Sequence, residues 1–361
     1  MAKHWARAGH DVHLMGSAAS VDLFRQRGLS VQAHLVDWQG GESRWSFMLR
    51  AITVCVRLPR SLLRLQPDVI VSANEQLYDT LPGLMLKLWY RGRVRWAVVA
   101  HNIPAWRFWR REGHHWYQSL AFLVSERLSL LAAALGANRL LAVSPATTRL
   151  LLSVGFPKRR VTTVPCGVDL AALDAIARTT KERRYDAAAF MRVSAEKGIF
   201  ALIDAWKLVV AANPSARLAV IGGGIDMEAA QARVRTLGLE DNVDFLGLIL
   251  DTTRAFTTLR TARLFLHPSF KENWAIAIGE AMALGMPVIA FDLPELQEVW
   301  GEAFRAVPRG DASAFAGEIV ALLADEPGRR DLAERGLARV RSLDWADIAH
   351  RELEEIAGHR S

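Results

Sequence analysis

The stretch His267-Pro-Ser-Phe-Lys-Glu272-Asn-Trp-Ala-Ile-Ala-Ile-Gly-Glu280-Ala-Met-Ala-Leu-Gly285-Met-Pro287-Val-Ile-Ala290 combines five features in a fixed order. They are a strand end, a polar loop with one carboxylate, a helix with a second carboxylate, a glycine stop and a new strand. This order is typical of a parallel α/β unit, where ligands bind beyond the carboxyl ends of the strands. Two carboxylates at that edge suit a ligand rich in hydroxyl groups.

The same alternation of strand and helix continues on both sides of this stretch, which predicts an α/β protein with parallel sheets. Strands are predicted in the first half at residues 11–15, 31–36, 67–73, 95–101, 139–144 and 161–165. In the second half they are predicted at residues 187–193, 216–221, 243–246, 264–267 and 288–291. The charged stretch Thr180–Asp186 between the halves is interpreted as a linker or an exposed loop. Two such halves indicate two Rossmann-like domains with a cleft between them.

Composition limits the class of protein. A chain of 361 residues with 51% hydrophobic residues has room for two domains with large cores. Two cysteines provide neither a disulfide framework nor a metal cluster, which favours a reducing compartment. Neither a membrane-spanning run nor a signal peptide is evident, so we expect a cytoplasmic protein, with peripheral binding to the inner face of the membrane as an option.

The spacing of Glu272 and Glu280 separates their roles. At 1.5 Å per residue the two carboxylates would be about 12 Å apart along a helix axis. Carboxyl groups that flank a glycosidic bond in retaining hydrolases are about 5 Å apart. The spacing therefore predicts two separate ligand contacts. The alternative is a carboxylate at a helix N-terminus plus a solvated glutamate.

Two cations stand five residues apart in Arg192-Val-Ser-Ala-Glu-Lys197-Gly198, at a predicted strand-to-helix turn. Arg192 can grip two oxygens at once and Lys197 acts as a point charge, so the pair suits a diphosphate. The alternative is a solvent-exposed loop at a helix entry. No Asp-x-Asp pair is present to hold Mg²⁺ on a diphosphate, so a metal-independent site is expected, with the two cations in place of the metal.

These motifs together resemble those of the retaining GT-B glycosyltransferases of family 4. Glu272 and Glu280 match the E-x7-E signature, and Arg192–Gly198 is similar to G-R-L-x-x-x-K-G. Gly222-Gly-Gly224 resembles I-G-x-G, and Pro165–Asp169 resembles P-N-G-V-D. Asn273, Ala275 and Met191 stand where the family usually has glycine.

The resemblance implies a domain organisation. It gives an acceptor-side domain over residues 1–168, a nucleotide-sugar domain over 169–343 and a C-terminal helix over 344–361 that crosses back to the first domain. Ala6–Val12 is similar to the end of the family's first helix. The family's first strand and the glycine-rich loop after it have no counterpart, so the N-terminal domain is expected to lack its first strand.

The resemblance also implies site residues. Glu280 would hold the nucleotide ribose, Glu272 would lie by the donor sugar, and Arg192 and Lys197 would hold the diphosphate. Catalytic positions would be Glu272, His101, Arg192 and Lys197. Further substrate contacts would come from Gly223, Leu246, Asn273, Trp274, Ala275 and Ile276. For His101, at a predicted strand end, a purely structural role is the alternative.

The implied activity is transfer of a sugar from a nucleoside-diphosphate sugar to an acceptor hydroxyl with retention, in cell-envelope polysaccharide or glycolipid synthesis. The donor is a substrate, and no cofactor is implied. A non-catalytic sugar-nucleotide-binding protein is one alternative, and a GT-B-like epimerase or phosphorylase is another.

The net charge of +7 is compatible with nucleic acid, an anionic membrane or phosphorylated ligands, and no nucleic-acid-binding signature accompanies it. Basic residues also cluster in the first half. Ser43–Leu65 has five arginines and no acid, and Arg91–Arg111 has six arginines interleaved with aromatic residues. This pattern suits an anionic bilayer, which would be apt for a glycan or lipid-linked acceptor. A solvated face with core aromatics is the alternative.

Overall fold

A computed structural model describes residues 1–26, 29, 31–36, 52–58, 60–101, 116–180 and 182–357. The chain forms two compact units. The first contains Met1–Pro165 and Ala346–Ser361, and the second contains Cys166–Trp345. Residues 37–51 and 102–115, which hold much of the two basic segments, lie outside the described residues.

The first unit contains two parallel sheets. Its strands are β1 His13–Gly16, β2 Gln32–Leu35, β3 Val69–Ser72, β4 Arg95–Ala100, β5 Arg139–Ala142 and β6 Val161–Thr163. One sheet pairs β1 with β2, and the other has the order β3-β4-β5-β6. Its helices are α1 Ala2–Arg7, α2 Ala18–Gln26, α3 Arg60–Arg64, α4 Leu77–Trp89, α5 Trp116–Gly136 and α6 Pro145–Ser153. The helix α15, Trp345–Ala357, belongs to this unit from its second residue onward.

The second unit is built on one parallel sheet with the order β12-β11-β10-β7-β8-β9. Its strands are β7 Tyr185–Phe190, β8 Leu218–Ile221, β9 Val243–Gly247, β10 Ala262–His267, β11 Val288–Phe291 and β12 Arg305–Val307. Its helices are α7 Leu170–Thr179, α8 Ile199–Ala212, α9 Met227–Thr236, α10 Thr252–Arg260, α11 Ile276–Ala283, α12 Pro294–Trp300, α13 Ala312–Ala324 and α14 Glu326–Val340.

The strand sequences explain why this sheet is central. β8 and β11 are wholly apolar runs, and every residue of both is buried. Strands covered by helices on both faces have this continuous pattern, whereas half-exposed strands alternate. Aspartates begin several of the covering helices: Asp169, Asp251 and Asp311 each accept a hydrogen bond from the backbone amide three residues later.

Two features differ from the sequence interpretation. The charged stretch Thr180–Asp186 is only partly a loop, because Tyr185 and Asp186 already belong to β7. The strand β12 was not predicted, because Arg305-Ala-Val307 is only three residues long and two of them are exposed. Its apolar signal is therefore too short to stand out from a loop.

Candidate active site

Three loops meet at the carboxyl edge of the second unit's sheet, after the neighbouring strands β10, β7 and β8. Glycines allow their backbones to touch. A Cβ atom on Gly198 would lie 1.9 Å from the carbonyl oxygen of Pro268, and one on Gly222 would lie 1.9 Å from that of Met191. One on Gly224 would lie 2.1 Å from the carbonyl oxygen of Val193. The loops are thus held in register by backbone packing that no larger residue permits.

The loop after β7 places Lys197 at the end of a 3-10 turn, Ala195–Lys197. The Asp226 carboxylate accepts a hydrogen bond of 2.7 Å from the Ala195 amide, and the Phe270 amide donates to the Glu196 carbonyl at 3.0 Å. The turn is therefore tied to the loops after β8 and β10, and the lysine side chain starts from a fixed backbone.

Glu272 is the centre of a buried charged cluster. Lys197 Nζ donates to its Oε1 at 2.6 Å, and His267 Nε2 donates to the same oxygen at 2.9 Å. The Glu272 side chain is 9% exposed. Its Oε2 accepts no hydrogen bond from the described residues, so one carboxylate oxygen is anchored and the other is available to a ligand.

The cluster keeps Glu272 ionised. Burial alone would raise the pKa of its carboxyl, but the His267 hydrogen bond and the nearby His267 and Lys197 charges together lower the pKa to about 2. A carboxylate in this state accepts hydrogen bonds and does not donate a proton near neutral pH.

His267 was missed as a site residue. The signal for it was its place as the last residue of β10, a strand inside the sheet. In the part of the chain that the structure describes, His267 Nδ1 and Ser194 Oγ are buried polar atoms without hydrogen-bond partners. Such atoms are uncommon in folded proteins and are often found at functional sites.

Arg192 is exposed at the start of the same loop, and no acidic group among the described residues contacts its guanidinium. It is therefore available to an anion. The neighbouring Met191, which stands where the family usually has glycine, is buried in the hydrophobic core of the unit.

The second half of the E-x7-E stretch enters α11 through Ala275, which has φ 57° and ψ 67°. This left-handed conformation favours glycine, and alanine adopts it at a cost of about 1–2 kcal/mol. Trp274 is buried, with its ring edge-on to Trp300, whose Nε1 donates to the Trp274 carbonyl at 2.9 Å. Asn273 is half-buried and Ile276 is exposed.

The predicted separation of about 12 Å between Glu272 and Glu280 used the rise of a helix over the whole stretch, and that rise applies only within a helix. The helix begins at Ile276, so Glu272 lies in the loop before it and Glu280 is its fifth residue. Glu280 is half-buried. The separation of the carboxylates into loop-borne and helix-borne groups stands.

Gly223 lies in the loop after β8, where its carbonyl accepts a hydrogen bond from the Val193 amide at 3.0 Å, and Leu246 lies in β9. Gly223 is the open glycine of its triplet, since the nearest side-chain atom to an added Cβ would be Leu248 Cβ at 3.7 Å. Leu246 and Leu248 line a cavity of about 550 Å³ with Arg254 and the start of β7. Neither Lys197 nor Glu272 lines this cavity.

With this geometry established, comparisons with known proteins define the family. The family profile described as Glycosyltransferase Family 4 matches residues 1–172, and that of Glycosyl transferases group 1 matches residues 176–339. The chain belongs to the group 1, family 4 glycosyltransferases. The prediction of the family from its motifs is confirmed.

Individual relatives of this group 1 member match shorter parts. Phosphatidyl-myo-inositol mannosyltransferase of Mycobacterium leprae is 34% identical over 156 residues, which are 42% of this chain and 41% of the relative. O-antigen chain mannosyltransferase B of Escherichia coli is 32% identical over 103 residues, or 28% and 27% of the two chains. The chain spans about half or less of the length of these curated relatives.

The solved structure of Anabaena HepE in complex with UDP and glucose is similar over 98% of this chain and 94% of its own. The TM-score is 0.73 and the identity 19%, so the likeness shows the fold alone. The predicted fold class, an α/β protein of the GT-B type, is confirmed.

His101 belongs to the first unit of this glycosyltransferase-family chain, just after β4. Its amide donates to Glu75 Oε2 at 2.8 Å, and its ring Nε2 donates to the Ala73 carbonyl at 3.1 Å. These contacts fix the imidazole at a strand end. Its role beside a donor sugar stays a prediction, as do the acceptor and nucleotide-sugar roles of the two domains.

Two kinds of feature are absent from the described residues. No cluster of three or more histidine, cysteine, aspartate or glutamate side chains that could hold a metal ion occurs among them. None of the helices they form has the length and apolar character needed to cross a membrane.

Proposed function

We propose that this protein transfers a glycosyl unit from a nucleoside-diphosphate sugar to an acceptor hydroxyl, with retention of anomeric configuration. The observation that carries this proposal is the buried, ionised Glu272 held by Lys197 and His267, with the exposed Arg192 on the same loop as Lys197. Family membership supports the reaction class.

The cations have the role of stabilising the leaving group. Charge builds on the nucleoside diphosphate as the glycosidic bond breaks, and fixed positive groups are most effective where charge develops. Arg192 would contact two phosphate oxygens, and Lys197 would place one charge between the diphosphate and Glu272. The two side chains would supply the positive charge that a metal ion otherwise provides, which supports a metal-independent reaction.

Glu272 has the role of a hydroxyl-binding group rather than of an acid. Its pKa of about 2 keeps it ionised at neutral pH. Its Oε2 would accept a hydrogen bond from the donor sugar, while Glu280 on α11 would hold the ribose. With no protonated carboxyl in the cluster, the leaving phosphate itself would receive the proton of the acceptor hydroxyl.

We infer the substrate classes from the relatives. Two of them are named as mannosyltransferases, one of which acts on phosphatidyl-myo-inositol and one on an O-antigen chain. The HepE structure contains UDP and glucose. A nucleoside-diphosphate hexose donor and a lipid-linked or glycan acceptor in envelope synthesis, at an anionic membrane surface, follow as the proposal for this chain.

The non-catalytic alternative rested on the missing first strand and its loop, and on Met191 and Ala275 as substitutions for glycine. Met191 turns into the core, and Ala275 adopts the left-handed conformation that the position needs. Both substitutions leave the course of the loops intact. The charged cluster is complete, which favours catalysis.

The proposed function is tested with the purified full chain and a panel of nucleotide sugars, by nucleoside-diphosphate release with and without lipid-extract acceptors. Lys197→Ala and Glu280→Ala should each lower the rate by about 100-fold or more, because each removes a positioned polar group that the bound donor needs. Lys207→Ala, which removes an exposed lysine on α8, is the matched control. Release unchanged in both site variants would contradict the site, and no release with any donor would contradict the activity.

A further inference from the structure

Two neighbouring helices of the first unit, α4 and α5, expose only apolar residues in their described parts. On α5 the residues that are at least about one-third exposed include Leu120, Val124, Leu128, Leu131 and Leu135. Their spacings of four, four, three and four residues place them on one side of the helix. Ala134 is the remaining exposed residue.

The helix α4 extends this surface. Its exposed residues are Met85, Leu88 and Trp89, and the last two are 67% and 60% exposed. The helices pack with their C-terminal ends together, since Lys87 Nζ donates to Asn138 just beyond α5. We call the exposed residues of both helices the apolar face. Large exposed apolar patches with polar groups at their border mark interaction sites on proteins.

Basic groups border the apolar face at that shared end. Lys87 precedes Leu88, and the exposed Arg91 and Arg93 follow Trp89. Arg160 donates to the Ala134 carbonyl at 3.0 Å, next to Leu135. No exposed acid occurs in the described parts of α4 or α5: Glu126 is buried, and Asp79 is half-buried in the first turn of α4.

We propose that the apolar face docks this protein on an anionic phospholipid bilayer, with α4 and α5 lying in the plane of the interface. Apolar side chains enter the headgroup boundary, and basic side chains attract anionic lipids. An exposed tryptophan beside them suits the interface. A second copy of the chain is a poorer occupant, because a twofold interface would bring together two faces with basic groups and no exposed acid.

This inference deepens the proposed function, because it assigns the surface through which a lipid-linked acceptor would be reached. It also changes the expectation from the sequence. The residues that carry it are helical leucines of α5 and the end of α4, and only Arg91 and Arg93 come from the basic segments identified in the sequence.

The test is co-sedimentation of the full chain, without donor, with phosphatidylcholine vesicles and with vesicles that also contain phosphatidylglycerol. The wild type should bind the anionic vesicles more strongly. Leu128→Glu with Leu131→Glu should weaken that binding about tenfold or more, because each leucine loses its place in the apolar layer. Leu208→Glu, at an exposed leucine on α8 of the second unit, is the matched control and should bind as the wild type does.

The charge contribution is tested with Arg91→Asn and Arg93→Gln together. Asparagine tolerates the positive φ of 52° at Arg91. Their removal should weaken binding to anionic vesicles about tenfold or more and leave binding to neutral vesicles unchanged. Circular dichroism and melting confirm the fold, and Leu88→Gln with Leu135→Gln replaces the glutamate pair if that pair unfolds.

Three results would overturn the inference: no vesicle binding by the wild type, equal binding to both vesicle types, or binding that the leucine variants leave unchanged. Sedimentation velocity tests the alternative that a second copy of the chain covers the apolar face. A dimer that the leucine variants dissociate would show that the face is a protein interface. Transfer to a water-soluble acceptor is measured separately and should be unchanged in the leucine variants. Failure of docking and failure of the reaction are thereby told apart.

Discussion

At the scale of single residues, the site depends on one carboxylate with two donors on the same oxygen. Lys197 and His267 both bond to Glu272 Oε1, so they fix the orientation of the group and its charge together. The sequence predicted Glu272 and Lys197, because their motifs are local. It did not predict that they touch, because they are 75 residues apart and meet only through the loops after β7 and β10.

The ionisation of Glu272 predicts a pH-dependent contribution to stability. Its pKa is lowered from 4.5 to about 2 in the folded protein. At a pH between these two pKa values, the carboxyl is protonated in the unfolded chain and ionised in the folded chain. The free energy of unfolding therefore falls as the pH falls. Between about pH 6 and about pH 3 this carboxylate should account for a loss of about 2 kcal/mol.

Urea unfolding of the wild type and of Glu272→Gln at both ends of this range measures the effect. The glutamine variant should be less stable at the higher pH and should lose less stability on acidification. Glu326→Gln is the control, because Glu326 pairs with Arg330 on an exposed helix face. If the wild type and Glu272→Gln lost equal free energy of unfolding on acidification, the Glu272 cluster would not be what keeps this carboxylate ionised.

At the scale of elements, the loops after β7 and β8 are fitted to each other by the triplet Gly222-Gly-Gly224. The two outer glycines face carbonyl oxygens, whereas an added Cβ on the central one would meet only Leu248 Cβ, at 3.7 Å. The sequence indicated a glycine-rich turn near a ligand, but it could not distinguish the glycines required for packing from the one open to a substrate. That distinction depends on which loop lies against the turn.

This fit predicts a position-dependent result for three single substitutions. Gly222→Ala and Gly224→Ala should each cost about 3 kcal/mol, since the loops must separate and Gly222 also has φ 135°. Gly223→Ala should change stability by less than about 1 kcal/mol, since its new methyl group meets only an ordinary contact. Thermal and urea unfolding of the three variants checks this order. Equal losses at all three positions would refute the packing argument.

At the scale of the whole molecule, the chain returns to its first unit at its end. Trp5 Nε1 donates to the Ala349 carbonyl at 2.9 Å, and Arg139 Nε donates to the Glu355 carbonyl at 3.2 Å. Ile348 and Ile356 of α15 are buried. Residues more than 200 positions apart thus complete one core.

This arrangement predicts a unit-specific effect of Ile356→Ala. Loss of the buried side chain should destabilise the first unit by about 3 kcal/mol. Hydrogen exchange should then speed up in β5 and β6 and stay unchanged in β7 and β8. Ile319→Ala, at a buried position of α13 in the second unit, is the matched variant with the opposite expected pattern. Faster exchange in both units for either variant would show that they unfold together.

The sequence by itself determined the family, the α/β class and the second unit's charged residues, because its motifs combine strand, turn and helix signals within short stretches. Only the tertiary structure decided three further points. It joined Lys197, Glu272 and His267 through one oxygen, turned Met191 into the core, and left the leucines of α5 exposed. Each of these points depends on which distant elements pack together. An apolar helix is predicted to be buried from its sequence, and only the tertiary structure shows whether a neighbouring element covers it.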